Sequence, residues 1–372
     1  MIEPVSRELI RPFEAVTERS ENPVPPDAGP AIGYFCTYTP IELLHAAGFT
    51  PIRITGGAGG VEKAYSRMPD FICPFMKRAL EKALNGQYAF LSGVVQGYSC
   101  DAACGAVNIW RDAVGGDIYH TLPLPYNATA EAEAFFKSAV KELIAKLETI
   151  GGRFTESGLD QSLRLYEETR RILLDIYQRL HEGNSALNAQ QILTVTEAAA
   201  TIPPETYLKM LQTLSNELAN TTSRQAHGIP VMISGSLVED MGIIEMIESA
   251  GGRIVADDLC NGYRPLVPPA GEGQSPVDRL VNRYMQRLPC PSRSRAEDRT
   301  ASMLEVMEKS GAKGLILILQ KFCTPHLSDY PSLSDAFRKK GLPVLCLEMD
   351  ESWQPGGQVK TRLESFFEML EI

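Results

Sequence analysis

GYFCTYTPIELLHAAGFTPIRI, residues 33–54, decides how the rest of this chain is read. It begins as a short apolar strand and runs into a polar loop that carries Cys36. Pro40 then opens a helix, a position where the fixed φ of proline fits and its missing N–H costs nothing. Gly48 closes that helix, as glycine does at helix C-termini, and a second apolar strand follows. The order strand, polar loop, helix, Ala-Gly, strand returns in PVMISGSLVEDMGIIEMIESAGGRIVADD, residues 230–258. Units of this kind build parallel sheets, so two copies imply two related lobes facing each other across a cleft.

Working outward, residues 31–35, 51–54 and 88–95 read as strands of the first lobe, with helices at 40–47 and 73–84. The second lobe offers strands at 230–234, 253–256, 315–319 and 343–347 and a helix at 239–250. Its last two strands are almost wholly apolar, as strands buried on both faces should be. Between the lobes, residues 130–147, 159–180, 186–199 and 204–218 read as helices. Leu163, Tyr166, Leu173, Ile176, Tyr177 and Leu180 fall on one stripe at 3.6-residue spacing. The expected fold class is α/β: two Rossmann-like parallel-sheet lobes facing a cleft, with a helical connector subdomain. The expected divisions are an N-terminal helix and linker (1–30), a first α/β lobe (31–129), the helical connector (130–225) and a second α/β lobe (226–372).

The chain has 372 residues, enough for two or three domains, and its 44% hydrophobic and 22% charged content describes a globular protein with sizeable cores. A net charge of −10 argues against nucleic acid or an anionic membrane as partner. No run approaches the ~18 apolar residues of a membrane span, and the N-terminal stretch lacks the apolar core of a signal peptide. The expected location is cytoplasmic, where thiols stay reduced, so the eight cysteines are core residues, nucleophiles or metal ligands rather than disulfides.

Their placement separates these roles. Ligands of open α/β sheets bind outside the carboxyl ends of the strands. Cys36, Cys100, Cys104, Cys260 and Cys323 all follow predicted strands, in FCTY, GYSCDAACG, DDLCNGYR and QKFCTPH. Cys73 precedes a helix in FICPFMKR, and Cys290 lies in LPCPSR. These seven read as loop residues, while Cys346, inside PVLCLEMD, reads as a core residue. A structural zinc site needs only four ligands, usually in close pairs, whereas this chain has one C-x3-C and no second local pair. Thiols gathered from distant strand ends suit an iron–sulfur cluster wedged between lobes. A zinc-binding α/β protein with incidental thiols is the competing reading.

FCTYTPIELLHAAGFTPIRI, the CPF that opens a helix, GYSCD, DDLCNGYR, RYMQRLPCPSR, GLILILQKFCTPHLSDYPSL and GLPVLCLEMDES together resemble the 2-hydroxyacyl-CoA dehydratase family, in order over about residues 31–370. That family includes dehydratase subunits, ATP-dependent benzoyl-CoA reductase subunits and double-cubane cluster proteins. The resemblance implies a [4Fe-4S] cluster on Cys73, Cys100 and Cys323, with an open fourth iron acting as a Lewis acid. It also implies a separate ATP-hydrolysing iron–sulfur activator that injects one low-potential electron; in the dehydratases this makes a ketyl radical from a CoA thioester. One cubane leaves several loop cysteines over, and a double cubane, [8Fe-9S], takes about six thiolates. The resemblance then adds Cys104, Cys260 and Cys290, with Cys36 in reserve. The double cubane implies a homodimer that reduces small molecules; the single cubane implies a pair with a homologous subunit acting on an acyl-CoA. A non-catalytic electron-transfer or cluster-carrier protein is the reading from another class.

Three further residues are candidates for catalysis. His326 lies three residues after Cys323 and could donate a proton or bond a sulfide; loop histidines are usually solvated. Glu42 lies near the start of a helix, where a first-turn carboxylate is favourable in any case; its functional alternative is proton transfer. Ser236, with Ser234, flanks Gly235 at a strand-to-helix turn, where a serine caps the helix or meets an anion. Gln96 and Tyr98 are possible substrate contacts, and Lys77, Arg78 and Arg264 either meet phosphates or are ordinary surface charges. No GxxxxGK[ST] motif occurs, so ATP hydrolysis is assigned to a partner.

Overall fold

The two halves of the chain carry the same strand order. The computed structural model describes residues 4–17, 29–57, 59–222, 227–293, 296–350 and 356–371. The first half forms a sheet from β1 (Ala31–Tyr34), β2 (Thr50–Arg53), β3 (Leu91–Gly97) and β4 (Ile118–Leu122), ordered β2-β1-β3-β4 and parallel throughout. The second half forms β5 (Ile229–Gly235), β6 (Gly252–Asp258), β7 (Gly314–Gln320) and β8 (Val344–Met349), ordered β6-β5-β7-β8 and again parallel. The α/β class with two Rossmann-like lobes is therefore what the chain adopts.

Thirteen α-helices surround these sheets among the described residues. In chain order they are α1 (Pro4–Thr17), α2 (Ile41–Ala46), α3 (Pro74–Leu84), α4 (Asp101–Val114), α5 (Ala130–Thr149), α6 (Glu156–His181) and α7 (Ala189–Ala198), followed by α8 (Pro204–Ala219), α9 (Gly242–Ser249), α10 (Pro276–Met285), α11 (Ala296–Ser310), α12 (Thr324–Lys339) and α13 (Gly357–Glu371). The expected helices and strands are present with small boundary shifts, but several elements escaped the sequence reading. β4 was hidden by the polar residues His120 and Thr121 inside a five-residue strand. α4 begins directly after Cys100, so Cys104 sits on a helix and not in a loop. β8 is an edge strand, which leaves Cys346 half-buried against the second-lobe core rather than enclosed in it.

Sheet faces alternate between cores as the period of two requires. Val231, Ile233, Ile316 and Ile318 pack with α1, α6, α7 and α8, whereas Met232, Leu315, Leu317 and Leu319 pack with α11 and α12. In the first lobe, α5, α6 and α10 cover one face and α3 and α4 the other. Helices α5 to α8, at residues 130–219, thus divide their apolar faces between the two lobes, and no core among the described residues is made of them alone.

One buried ion pair ties these parts together. Glu42 on α2 is fully buried and accepts from Arg170 Nη1 on α6 at 2.6 Å and from Tyr284 OH on α10 at 2.7 Å. The Arg283 guanidinium stands 3.9 Å away. Burial alone would raise the Glu42 carboxyl, but Arg170 and Arg283 outweigh it and hold the pKa at about 2. Glu42 is therefore a structural anion joining the first lobe to α6 and α10.

Glu42→Ala is expected to cost about 3–5 kcal/mol, because it strands two buried guanidinium groups; urea denaturation measures this. A folded pKa below the ordinary 4.5 contributes stability above pH 4.5 that is lost as pH falls through about 2. The melting-temperature gap between wild type and Glu42→Gln should therefore stay flat from neutral pH down to 4.5 and close toward pH 2. A gap unchanged at the acid end would remove Glu42's charge from the account.

Candidate functional site

The carboxyl ends of both sheets meet, and helices start where they do. Cys73, Cys100 and Cys323 are the N-cap residues of α3, α4 and α12. Each helix N-terminus carries unsatisfied amides and partial positive charge, which favour negative charge on sulfur. The third-residue amides of Met76, Ala103 and His326 act on the three thiols in that sense. Proline follows within the first turn of α3 and α12, where its lack of N–H is harmless.

These three thiols share one cavity of about 100 Å³ with Cys36, Cys260 and Cys290. Its remaining wall is largely apolar, from Phe35, Phe75, Met76, Leu237 and Pro325. Burial raises the thiols of Cys36, Cys73 and Cys100, and pushes Cys260 to about 11 and Cys323 to about 12. Neighbouring thiols push the same way: Cys73 acts on Cys100 and Cys323, and Cys290 on Cys36, Cys260 and Cys323. Without a cation Cys36, Cys73, Cys100, Cys260 and Cys323 are thiols; a metal would make them thiolates.

Each of the other cysteine loops is braced by polar groups. Gln96 Oε1 accepts from the amides of Phe35 and Cys36 at 3.1 and 3.0 Å, so Gln96 shapes the Cys36 turn. The Cys260 loop wraps the Asp257 carboxylate, which accepts from the amides of Leu259 and Tyr263 and from Tyr177 OH. Gly262 is required there, since a Cβ would fall 2.1 Å from Asp257 Oδ1. Asp258 pairs with Arg264 and Arg299, and Arg264 Nη1 donates to Cys260 Sγ at 3.2 Å. The Cys290 loop is clamped by Arg287, which bonds Thr37, and Arg293, which bonds the carbonyls of Tyr98 and Pro125.

The expected site residues separate on this geometry. Cys36 lines the cavity, while Cys104, one helical turn beyond Cys100, does not. His326 lines it too, but burial, Arg299 and Arg264 hold its imidazole well below the ordinary range, so it stands neutral rather than as a cationic acid. Ser236 is in the wall and its buried Oγ has no partner among the described residues. It caps no helix, because α9 starts only at Gly242, and Ser234 instead bonds Asp258 and Arg299. Glu42 is absent from this wall. Lys77 and Arg264, read as surface charges or phosphate contacts, are both buried. Lys77 Nζ stands 4.9 Å from the Tyr65 ring and 5.9 Å from that of Phe322, bridging the lobes. Sequence reading missed Arg53, Arg170, Arg283, Arg287 and Arg293; the spacing in NRYMQRLPCPSR was the available signal for the last three.

An exposed aromatic precedes each N-cap thiol by one or two residues: Phe71 before Cys73, Tyr98 before Cys100 and Phe322 before Cys323. Phe322 has φ 63°, a left-handed conformation that costs a non-glycine residue about 1–2 kcal/mol.

Six thiols around one cavity, most of them half-buried and three of them at helix N-termini, fit an iron–sulfur cluster by donor chemistry. Among the described residues no three His, Cys, Asp or Glu side chains are grouped to hold a single metal ion. A cubane takes its thiolates on separate irons, so its ligands stand further apart than those of one ion. Among the described residues no helix is long and apolar enough to cross a membrane.

The family described as 2-hydroxyglutaryl-CoA dehydratase, D-component, matches residues 36–370. The beta subunit of (R)-phenyllactyl-CoA dehydratase from Clostridium sporogenes is 28% identical over 345 residues, covering 91% of each chain. The beta subunit of lactoyl-CoA dehydratase from Anaerotignum propionicum is 27% identical with the same coverage. One of the subunits of benzoyl-CoA reductase from Thauera aromatica is 23% identical over 92% of this chain and 91% of its own.

Two glycine substitutions test the loop geometry. Gly262→Ala should destabilise by about 1–3 kcal/mol by displacing Asp257 from the Cys260 loop. Gly105→Ala, on α4 with open space around it, should instead stabilise by up to about 1 kcal/mol. Urea unfolding midpoints of both variants check the contrast.

Proposed function

The chain belongs to the 2-hydroxyglutaryl-CoA dehydratase D-component family, and from that premise we propose that it is an iron–sulfur reductase or dehydratase fed with low-potential electrons by an ATP-hydrolysing activator. The observation that carries the reading is the meeting of six cysteines from both lobes around one cavity. Six thiols match the demand of an [8Fe-9S] double cubane, with Cys36 taking the place first given to Cys104. When bound, the cluster would supply one-electron reduction and an open iron for a substrate oxygen. The chain's own groups prepare for it: amides at three helix ends face Cys73, Cys100 and Cys323, and Arg264 donates to Cys260 Sγ.

A second reading keeps a single [4Fe-4S] cluster on the three N-cap cysteines. It is favoured by their shared geometry, which Cys36, Cys260 and Cys290 lack, and by relatives named as beta subunits of dehydratases. In that case the chain pairs with a homologous subunit and acts on an acyl-CoA thioester; in the first it is a homodimer reducing small molecules. An open groove of about 760 Å³, lined by Tyr38, Tyr126, Arg287 and Arg293, offers room and positive charge for a bulky anionic substrate. Phe71, Tyr98 and Phe322 are exposed and each lies one or two residues before an N-cap cysteine, which makes them candidates for contact with an electron donor or partner subunit.

Anaerobic purification with iron and sulfide analysis tests the proposal. About eight irons per chain is expected for the double cubane and about four for the single one; an iron-free protein after anaerobic expression would sink both. Cys323→Ala should abolish iron binding and Cys346→Ala should leave it nearly intact. Turnover with the activator, offering acyl-CoA thioesters and small reducible molecules in parallel, assigns the substrate class.

A further inference from the structure

Lys77 connects the two helix starts that bring Cys73 and Cys323 to the cavity. It lies near the start of α3, four residues after Cys73, and only 2% of its surface is exposed. Side chains of a helix lean toward its N-terminus, so this one runs back over the turn that delivers Cys73. There its Nζ donates to the Asp70 carbonyl at 2.8 Å and stands 4.9 Å from the centroid of the Tyr65 ring. The same Nζ reaches the second lobe, 5.9 Å from the centroid of the Phe322 ring. A cation within about 6 Å of a ring face is attracted to it, more strongly out of water.

Phe322 is costly where it stands. Its φ of 63° suits glycine, and its ring is 40% exposed, so core burial offers little against the backbone strain. What the ring does meet is charge: Lys77 from the first lobe, and Lys321 Nζ at 5.5 Å from its own. The same turn ends in Cys323, whose amide donates to the Gln320 carbonyl at 3.0 Å. The ammonium also acts on sulfur. Burial raises the Cys73 thiol; the Met76 amide and then Lys77 draw it back, and Glu239 works against them.

We infer that Lys77 is a positioning residue for the iron–sulfur cluster. It clamps the Phe322–Cys323 turn of the second lobe against the Cys73 turn of the first and sets one positive charge beside the ligand sulfurs. The inference rests on the cluster reading, and Cys73 and Cys323 serve as ligands in its single- and double-cubane forms alike. A reduced cluster carries one more negative charge than an oxidised one, so a buried ammonium nearby favours reduction.

Hydrogen exchange on the full chain after iron removal tests the clamp, and redox titration of the loaded chain, followed by electron paramagnetic resonance, tests the charge. Phe322→Leu, which removes the ring face and keeps apolar bulk, should speed amide exchange at residues 70–77 about threefold or more, although they belong to the other lobe. Lys77→Met should do the same at residues 321–327. In the loaded chain it should also lower the reduced fraction at a fixed potential about tenfold, or about 59 mV for a one-electron couple. Lys77→Arg, which keeps the charge, should stay close to wild type in both measurements. Exchange at residues 70–77 untouched by Phe322→Leu overturns the inference, and decides alone if Lys77→Met fails to fold. A midpoint potential equal in Lys77→Met and wild type overturns it too. Wild type that binds no iron sinks the cluster reading and this inference together, whereas either of those results in a chain that loads normally sinks this inference alone.

Discussion

The fully buried Glu42 carboxylate, bonded to Arg170 and Tyr284 and facing Arg283, holds three parts of the chain in one register. It lies on α2 of the first lobe, Arg170 lies on the long helix α6, and Arg283 and Tyr284 lie on α10, which the chain inserts between two second-lobe strands. A charge out of water tolerates little displacement of its partners, because any gap leaves an ion uncompensated at low dielectric. That intolerance keeps α10 against the first lobe, and with it the following loop that brings Cys290 to the cavity. The convergence of thiols from two lobes follows from this constraint.

Parallel topology supplies the rest of the convergence. All strands of a parallel sheet present their carboxyl ends to one side, and the two sheets have matching strand orders. The loops after β1, β3, β6 and β7 therefore open toward the same space, carrying Cys36, Cys100, Cys260 and Cys323. Three of the six cysteines then gain helix N-termini, which the fold also places at that side. Desolvation and mutual repulsion would disfavour six thiolates; helix ends and Arg264 are what the chain offers in compensation.

The chain carries a net charge of −10, yet its lobe interface is built largely on buried arginines. Arg287 and Arg293 stack on Tyr38 and Tyr126 while bonding carbonyls across the interface. Arg264 and Arg299 share Asp258. Guanidinium forks satisfy several acceptors at once, which suits joints between loops whose carbonyls have no ladder partner.

The sequence by itself determined the α/β class, the internal repeat and the family, because apolar periodicity and the motifs around the cysteines are local properties of the chain. It also marked out the cysteine-bearing strand ends. Tertiary structure alone decided which cysteines face one cavity: Cys104 is set aside by a helix that starts at Asp101, and Cys36 is turned inward by Gln96 from another strand. It likewise decided that Glu42, Lys77 and Arg264 are buried and that Ser236 caps nothing. Such roles depend on partners far away in the chain, 242 residues for Glu42 and Tyr284, and a local pattern holds no record of what will pack against it.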